Sequence, residues 1–118
     1  MQPKATNSST LYVEQWGSSG PQIVFVHGGG PNDAANFQQQ KPLMERWTLL
    51  LPDRMGYGKT PANGRRDFEK DAPLIADLLG GCSHLVGHSY GGIIALMAAA
   101  LRPVSVSLIE PAAFRVAM

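Results

Sequence analysis

A serine between two glycines is the first feature of this chain that could carry chemistry. The segment Gly87-His88-Ser89-Tyr90-Gly91 reads G-x-S-x-G, a pattern in which the serine stands at a sharp strand-to-helix turn. The glycines on either side leave room where the backbone folds back on itself. A serine presented in this way can attack a carbonyl carbon, so we predict Ser89 as a nucleophile, with Gly87 and Gly91 supporting its turn. The alternative is that Ser89 only caps a helix.

A second glycine-rich segment could supply hydrogen-bond donors to the same reaction. Consecutive glycines follow His27 at Gly28, Gly29 and Gly30. They leave backbone N–H groups accessible, and acyl transfer needs such donors where negative charge develops on the carbonyl oxygen. We expect the N–H groups of Tyr90 and Gly29 to form this oxyanion hole, with His27, Gly28 and Gly30 supporting the turn. The alternative is a flexible loop without a role in catalysis.

Both glycine segments directly follow apolar runs that are typical of buried parallel strands. Strands are predicted over residues 10–16, 22–26, 48–51, 83–86 and 104–109. Helices are predicted over 32–47, with a start or kink at Pro42, over the apolar stripe that ends before Gly80, and over 92–101. This alternation predicts the α/β class, with a mostly parallel sheet and helices on both faces. Sites in such sheets form at the carboxyl ends of the strands.

Length and charge restrict the possible partners. The chain has 118 residues, enough for one domain, and ten basic against nine acidic residues give a formal charge of +1. This balance favours neither nucleic acid nor an anionic membrane as a partner, so a small-molecule substrate is expected. Residues 1–10 form a polar leader without the apolar segment of a secretory signal, so a cytoplasmic location is expected. The single cysteine, Cys82, and the spacing of the histidines imply no metal, and no organic cofactor is implied.

One further segment resembles the end of a phosphate-binding loop. It is Gly56-Tyr57-Gly58-Lys59-Thr60. The phosphate-binding motif requires a glycine where this chain has Asp53, and a regular helix cannot continue through Pro61. We therefore predict no nucleotide site there.

Four segments together resemble the α/β-hydrolase fold superfamily. They are His27-Gly28-Gly29-Gly30, Asp53 to Thr60, Leu85 to Gly92, and Leu108-Ile109-Glu110-Pro111. The resemblance implies that residues 11–118 are the N-terminal portion of such a domain, ending after about the sixth strand. It also implies a serine hydrolase that acts on an ester or related carbonyl compound through an acyl-enzyme. The alternatives are a non-catalytic binding domain, a carbon–carbon bond hydrolase, a cofactor-free haloperoxidase-like enzyme and an acyl-transfer enzyme.

The resemblance also implies a histidine base and an acid, in the chain order serine, acid, histidine. The three histidines, His27, His84 and His88, all precede Ser89. We expect none of them to act as the base, because His27 braces its turn, His84 lies in the core and the side chain of His88 diverges from that of Ser89. Glu110 is a possible acid at the end of the last strand, although a surface role at that strand end is favoured.

The catalytic histidine, and the acid if it is not Glu110, are therefore expected beyond residue 118. The chain alone is then expected to be inactive, because a serine without a base is a poor nucleophile. The last strand, residues 104–109, is expected to form an exposed edge. It could bind a complementing C-terminal chain or associate with a second copy.

Overall fold

The computed structural model describes residues 11–29, 33–54, 57–60, 68–80 and 83–109. Within them, five strands form one sheet: β1 (Val13–Trp16), β2 (Gln22–Val26), β3 (Thr48–Pro52), β4 (Ser83–His88) and β5 (Ser105–Ile109). Their order across the sheet is β1-β3-β2-β4-β5. β1 pairs antiparallel with β3, whereas every other pairing is parallel. The α/β class with a mostly parallel sheet is confirmed.

In the described part of the chain, three α-helices connect these strands: α1 (Asp33–Asn36), α2 (Phe68–Ala76) and α3 (Tyr90–Leu101). The predicted helix over residues 32–47 is wrong as a single element. After α1 the chain forms a 3₁₀ helix, Gln38–Glu45, with Pro42 inside it. Proline has no N–H to donate and its ring clashes with the preceding turn of an α-helix, so this segment does not form one regular helix.

Helices cover both faces of the sheet, and each face has its own apolar core. On one face, α2 and α3 pack over the central strands through buried residues that include Val24, Val26, Ile75, Leu85 and Ile94. On the other face, α1 and the residue that follows it pack over a second buried cluster, Trp16, Ile23, Phe25, Ala34, Phe37, Leu49 and Leu51. Burial on both faces explains why the central strands are almost continuously apolar.

Lys59 and Thr60, in the segment that resembles the end of a phosphate-binding loop, make hydrogen bonds that hold the loop after β3. The buried Thr60 hydroxyl donates a hydrogen bond to the Asp53 carbonyl oxygen at 2.7 Å and accepts one from the Tyr12 N–H at 2.8 Å. The Lys59 N–H donates to Asp53 Oδ2 at 3.0 Å. These bonds tie the loop after β3 to the residue before β1. Met55, Gly56 and the residues from Pro61 to Asp67 lie outside the described residues.

β5 lies at the edge of the described sheet and pairs there with β4. Its last two residues, Leu108 and Ile109, are 36% and 46% exposed, and Leu96 and Leu101 of α3 are also exposed. Apolar surface at a strand edge favours association with another chain segment. Among the described helices, the longest is α3 with 12 residues, and none is long and apolar enough to cross a membrane.

Candidate active site

The two glycine segments meet where the chain changes direction across the sheet. β2 and β4 are parallel neighbours, with Val26 level with Gly87. From β2 the chain runs to β3 on one side, whereas from β4 it runs to β5 on the other side. Such a divergence leaves a crevice outside the carboxyl ends of the two strands. Residues 27–29, here called the glycine turn, directly follow β2. Residues 87–91, here called the Ser89 turn, run from the end of β4 into the start of α3. Both turns therefore border this crevice.

Ser89 has a strained backbone conformation. Its φ is 57° and its ψ is −121°, and it is the one non-glycine residue with positive φ within the described segments. It occupies the N-cap position of α3, yet its side chain makes no capping hydrogen bond. An N-cap serine ordinarily has β-region angles and bonds to an N–H of the first helical turn. The geometry therefore argues against the simple capping role and leaves the hydroxyl unused by the helix.

The Ser89 turn is held in place by the sheet on one side and by the helix on the other. The Ser89 N–H donates to the Ile109 carbonyl oxygen at 3.0 Å, and the Ser89 carbonyl oxygen accepts from the Gly92 N–H at 2.9 Å. A residue in so unfavourable a region costs about 1–3 kcal/mol and persists only when its surroundings hold it there. β5 and the start of α3 supply that restraint.

Glycines allow the backbones around Ser89 to approach closely. A Cβ atom on Gly91 would lie 2.1 Å from the Val26 carbonyl oxygen, and one on Gly87 would lie 2.7 Å from the Gly91 carbonyl oxygen. A Cβ atom on Gly28 would lie 3.0 Å from the Cβ of Ser89 and 3.4 Å from its Oγ. The glycine turn thus passes directly beside the serine side chain. The pattern of glycines follows from this close approach.

We predict that Ser89→Gly stabilises the protein relative to Ser89→Ala. Glycine adopts positive φ freely, whereas alanine keeps the strain, and the greater freedom of glycine in the unfolded chain offsets part of the gain. The expected net difference in the free energy of unfolding is about 1 kcal/mol. Urea unfolding of the two variants measures it. Equal stabilities would show that the turn stores no strain at this residue.

The two predicted oxyanion donors border the crevice. Tyr90 is the first residue of α3, so its N–H lies at the positive end of the helix dipole. Gly29 is exposed, and a Cβ atom placed on it would meet no atom within 4 Å. The Gly29 position therefore leaves space beside its backbone. Gly30 and Glu110, a predicted supporting residue and a possible acid, lie outside the described residues.

His27 is buried and holds the glycine turn through both ring nitrogens. Its Nε2 lies 3.0 Å from the N–H of Arg54, which can only donate, so Nε2 is unprotonated. The proton therefore sits on Nδ1, which donates to the Gly28 carbonyl oxygen at 2.8 Å. Burial lowers the pKa of His27 from 6.5 to about 4, with the hydrogen bond to Gly28 opposing the shift and the charge of Arg54 adding to it. The ring is neutral near pH 7.

Sequence reasoning missed the side chain of Arg54. Its Nη2 donates to the same Gly28 carbonyl oxygen at 3.0 Å, and its Nη1 donates to Asp71 Oδ2 at 3.2 Å. The guanidinium also stacks over the ring of Tyr57, with 4.7 Å between its carbon and the ring centroid. Arg54 and Asp71 are both buried. Arg54 belongs to one of the four segments that carry the family resemblance. The sequence does not show its contact with Gly28, because that contact depends on tertiary structure.

The prediction that His84 lies in the core is wrong. Its ring is half-buried, and its Nδ1 and Nε2 lie 2.5 and 2.9 Å from the hydroxyl oxygens of Ser105 and Ser107 on β5. The face of β4 that carries His84 is only partly covered, whereas the opposite face packs against α3. Polar neighbours on β5 therefore replace the expected apolar packing. Within the described segments, no three His, Cys, Asp or Glu side chains are grouped as metal ligands.

Known proteins resemble this chain over most of its length. The Alpha/beta hydrolase family matches residues 23–118. The chain is 36% identical over 93 residues to the pimeloyl-[acyl-carrier protein] methyl ester esterase of Chromobacterium violaceum, covering 79% of this chain and 36% of that protein. It is 28% identical over 120 residues to Lipase 3 of a Moraxella strain, covering 93% of this chain and 38% of that protein.

A solved structure gives the same result for the fold. The esterase EaEST from Exiguobacterium antarcticum superposes with a TM-score of 0.75 at 30% identity, over 96% of this chain and 46% of that one. The chain thus spans less than half the length of these relatives. With the family matched over residues 23–118 and the sheet order, Ser89 turn and glycine turn described above, the chain belongs to the alpha/beta hydrolase family.

Proposed function

We propose that this chain carries the nucleophile and the oxyanion donors of a serine hydrolase that acts on an ester or a related acyl compound. The observation that carries the proposal is Ser89, held at positive φ between a strand and a helix with its side chain unused as a cap. Similarity to proteins named esterases and lipases supports the reaction class. Only the first of these names specifies an ester, so the proposal is made for esters and related acyl compounds as a class.

In this mechanism the Ser89 hydroxyl attacks the carbonyl carbon of the substrate while a general base takes its proton. The carbonyl oxygen becomes an oxyanion, which the N–H groups of Tyr90 and Gly29 stabilise. The tetrahedral intermediate expels the alcohol, which receives the proton, and leaves an acyl group on Ser89. Water then attacks the acyl-enzyme through the same oxyanion hole and releases the acid.

The general base is proposed to come from outside these 118 residues. Both ring nitrogens of His27 are engaged at the glycine turn, and both ring nitrogens of His84 contact serines of β5. His88 is the last residue of β4 and Ser89 is the N-cap of α3, and we expect the side chains of these two neighbours to diverge. A complementing segment could attach beside β5, where the described sheet ends.

Labelling with a fluorophosphonate, with and without added imidazole, tests the proposal. Imidazole can stand in for a missing histidine, so we expect little labelling of the 118-residue chain alone and imidazole-dependent labelling at Ser89. Mass spectrometry locates the modified residue. The Ser89→Ala variant should lose the label entirely.

Ser107→Ala is the matched control, because it removes another serine hydroxyl near a histidine and should leave the labelling of Ser89 unchanged. Circular dichroism first establishes that each sample is folded. A folded chain whose labelling is independent of Ser89, or absent even with imidazole, would contradict the proposal and favour a non-catalytic binding domain.

A further inference from the structure

The Gly28 carbonyl oxygen is an unusual acceptor in this structure, because two side chains donate to it from within the protein. His27 Nδ1 approaches at 2.8 Å and Arg54 Nη2 at 3.0 Å. Carbonyl oxygens have two lone pairs, so these two donors satisfy it fully. Gly28 itself is buried beside Ser89. The orientation of the peptide between Gly28 and Gly29 is thereby fixed from one side.

Fixing this carbonyl also fixes the next N–H. The peptide group is planar and trans, and the described residues contain no cis peptide, so the N–H of Gly29 points away from the Gly28 carbonyl oxygen. A glycine peptide without such donors can rotate between two orientations at small cost. With His27 and Arg54 on its carbonyl side, the Gly29 N–H is directed away from them.

Arg54 is itself held firmly enough to act as such a clamp. Its Nη1 donates to the buried carboxylate of Asp71, its plane lies over the ring of Tyr57, and its own N–H donates to His27. Moving a guanidinium from water into the protein interior costs free energy, and pairing it with a carboxylate often does no more than offset that cost. A gain in stability is therefore not a sufficient explanation for the buried Arg54–Asp71 pair. The planar fork lets one guanidinium bond the carboxylate and the turn carbonyl at once, which a lysine ammonium on a flexible stem does poorly.

We propose that Arg54 is a positioning residue that, with His27, holds the Gly28 carbonyl oxygen so that the Gly29 N–H is preset as an oxyanion donor. This inference rests on the proposed serine hydrolase function. Arg54 does not touch the reacting atoms in this assignment. It acts through the peptide that it orients.

The test compares wild type, Arg54→Lys and the matched control Arg102→Lys. The control changes another guanidinium that donates to a backbone carbonyl, that of Leu79 at 3.1 Å, away from the glycine turn. Residual dipolar couplings measured by NMR report the orientation of the Gly29 N–H. In Arg54→Lys we expect the Gly29 N–H to sample two orientations, so the magnitude of its averaged coupling should fall. In Arg102→Lys the coupling should keep the wild-type value.

The same samples give a chemical readout. Imidazole-dependent labelling of Ser89 should slow on the order of tenfold in Arg54→Lys, since complete loss of one oxyanion donor costs on the order of 100-fold or more. The labelling rate of Arg102→Lys should match that of wild type. Should Arg54→Lys fail to fold, the double variant Arg54→Met/Asp71→Leu removes both buried charges together and serves in its place.

The outcomes separate the two proposals. An unchanged Gly29 coupling, or a changed coupling with an unchanged labelling rate, would overturn the role of Arg54 and leave the proposed function intact. A wild-type chain that is not labelled at Ser89 would overturn the proposed function and the catalytic meaning of the turn with it. The coupling and the rate falling together would support both.

Discussion

Gly91→Ala is expected to destabilise the protein by more than about 4 kcal/mol, a loss found only for severe defects. The new Cβ would lie 2.1 Å from the Val26 carbonyl oxygen and 2.7 Å from that of His27. Both are backbone atoms, so either the start of α3 or the end of β2 must move. Alanine favours a helix over glycine by about 1 kcal/mol, which is too little to offset the clash.

Gly29→Ala is the matched control for folding, because a Cβ atom there meets nothing within 4 Å and φ is not positive. We expect it to change the free energy of unfolding by about 0.5 kcal/mol or less. Urea unfolding followed by circular dichroism measures both variants. A Gly91→Ala protein as stable as Gly29→Ala would show that the two backbones are farther apart than described.

Acidification is expected to remove about 3 kcal/mol of stability through His27 alone. The pKa of His27 is lowered from 6.5 to about 4 in the folded protein, chiefly because burial disfavours the charged ring. Between these values the unfolded chain binds a proton that the folded chain does not, so acid favours unfolding. The contribution is complete above the unfolded pKa, declines as pH falls from 6.5 to about 4, and is absent below it.

Protonation would also disrupt the turn locally. A proton on Nε2 removes the acceptor for the Arg54 N–H and places a second positive charge beside that guanidinium. His27→Gln keeps an amide donor and acceptor but cannot titrate in this range. The free energy of unfolding of this variant should therefore depend less on pH than that of wild type. Its slope against pH should be smaller by up to the amount that corresponds to one bound proton.

NMR titration of the His27 ring provides the direct check on this prediction. Its resonances should show no protonation in the folded protein until the pH approaches 4. A ring that titrates near 6.5, or a His27→Gln protein with the pH dependence of wild type, would contradict the prediction.

The parts of the site that depend on local backbone geometry could be predicted from the sequence. Gly87 and Gly91 predict a turn because no other residue fits at these positions. The apolar runs before residues 27 and 87 predict the strands that lead into the glycine turn and the Ser89 turn. Pro42 signalled a break, but the sequence pattern could not show that a 3₁₀ helix would replace the expected α-helix. Such weak local preferences are decided by packing.

The contacts made across the fold could not be predicted in this way. Arg54 reaches a carbonyl 26 positions earlier and a carboxylate 17 positions later. The sequence indicates the Asp53-Arg54 segment only through the family resemblance, because no periodicity links Arg54 to Gly28. His84 was placed in the core because it lies in an apolar run, whereas the register of β4 with β5 sets it beside two serines. Register across a sheet depends on the whole fold.

The order of the strands has a consequence for how the protein folds. β2 and β4 are neighbours in the sheet, yet their paired residues Gln22 and Ser83 are 61 positions apart. The Ser89 N–H donates to the carbonyl oxygen of Ile109, the last residue of β5. Contacts between distant residues form late, because a long loop must close before they gain any energy. Because Ile109 follows β4 and α3 in the chain, a chain emerging from the ribosome could not restrain Ser89 in its strained conformation until β5 had also emerged and paired with β4.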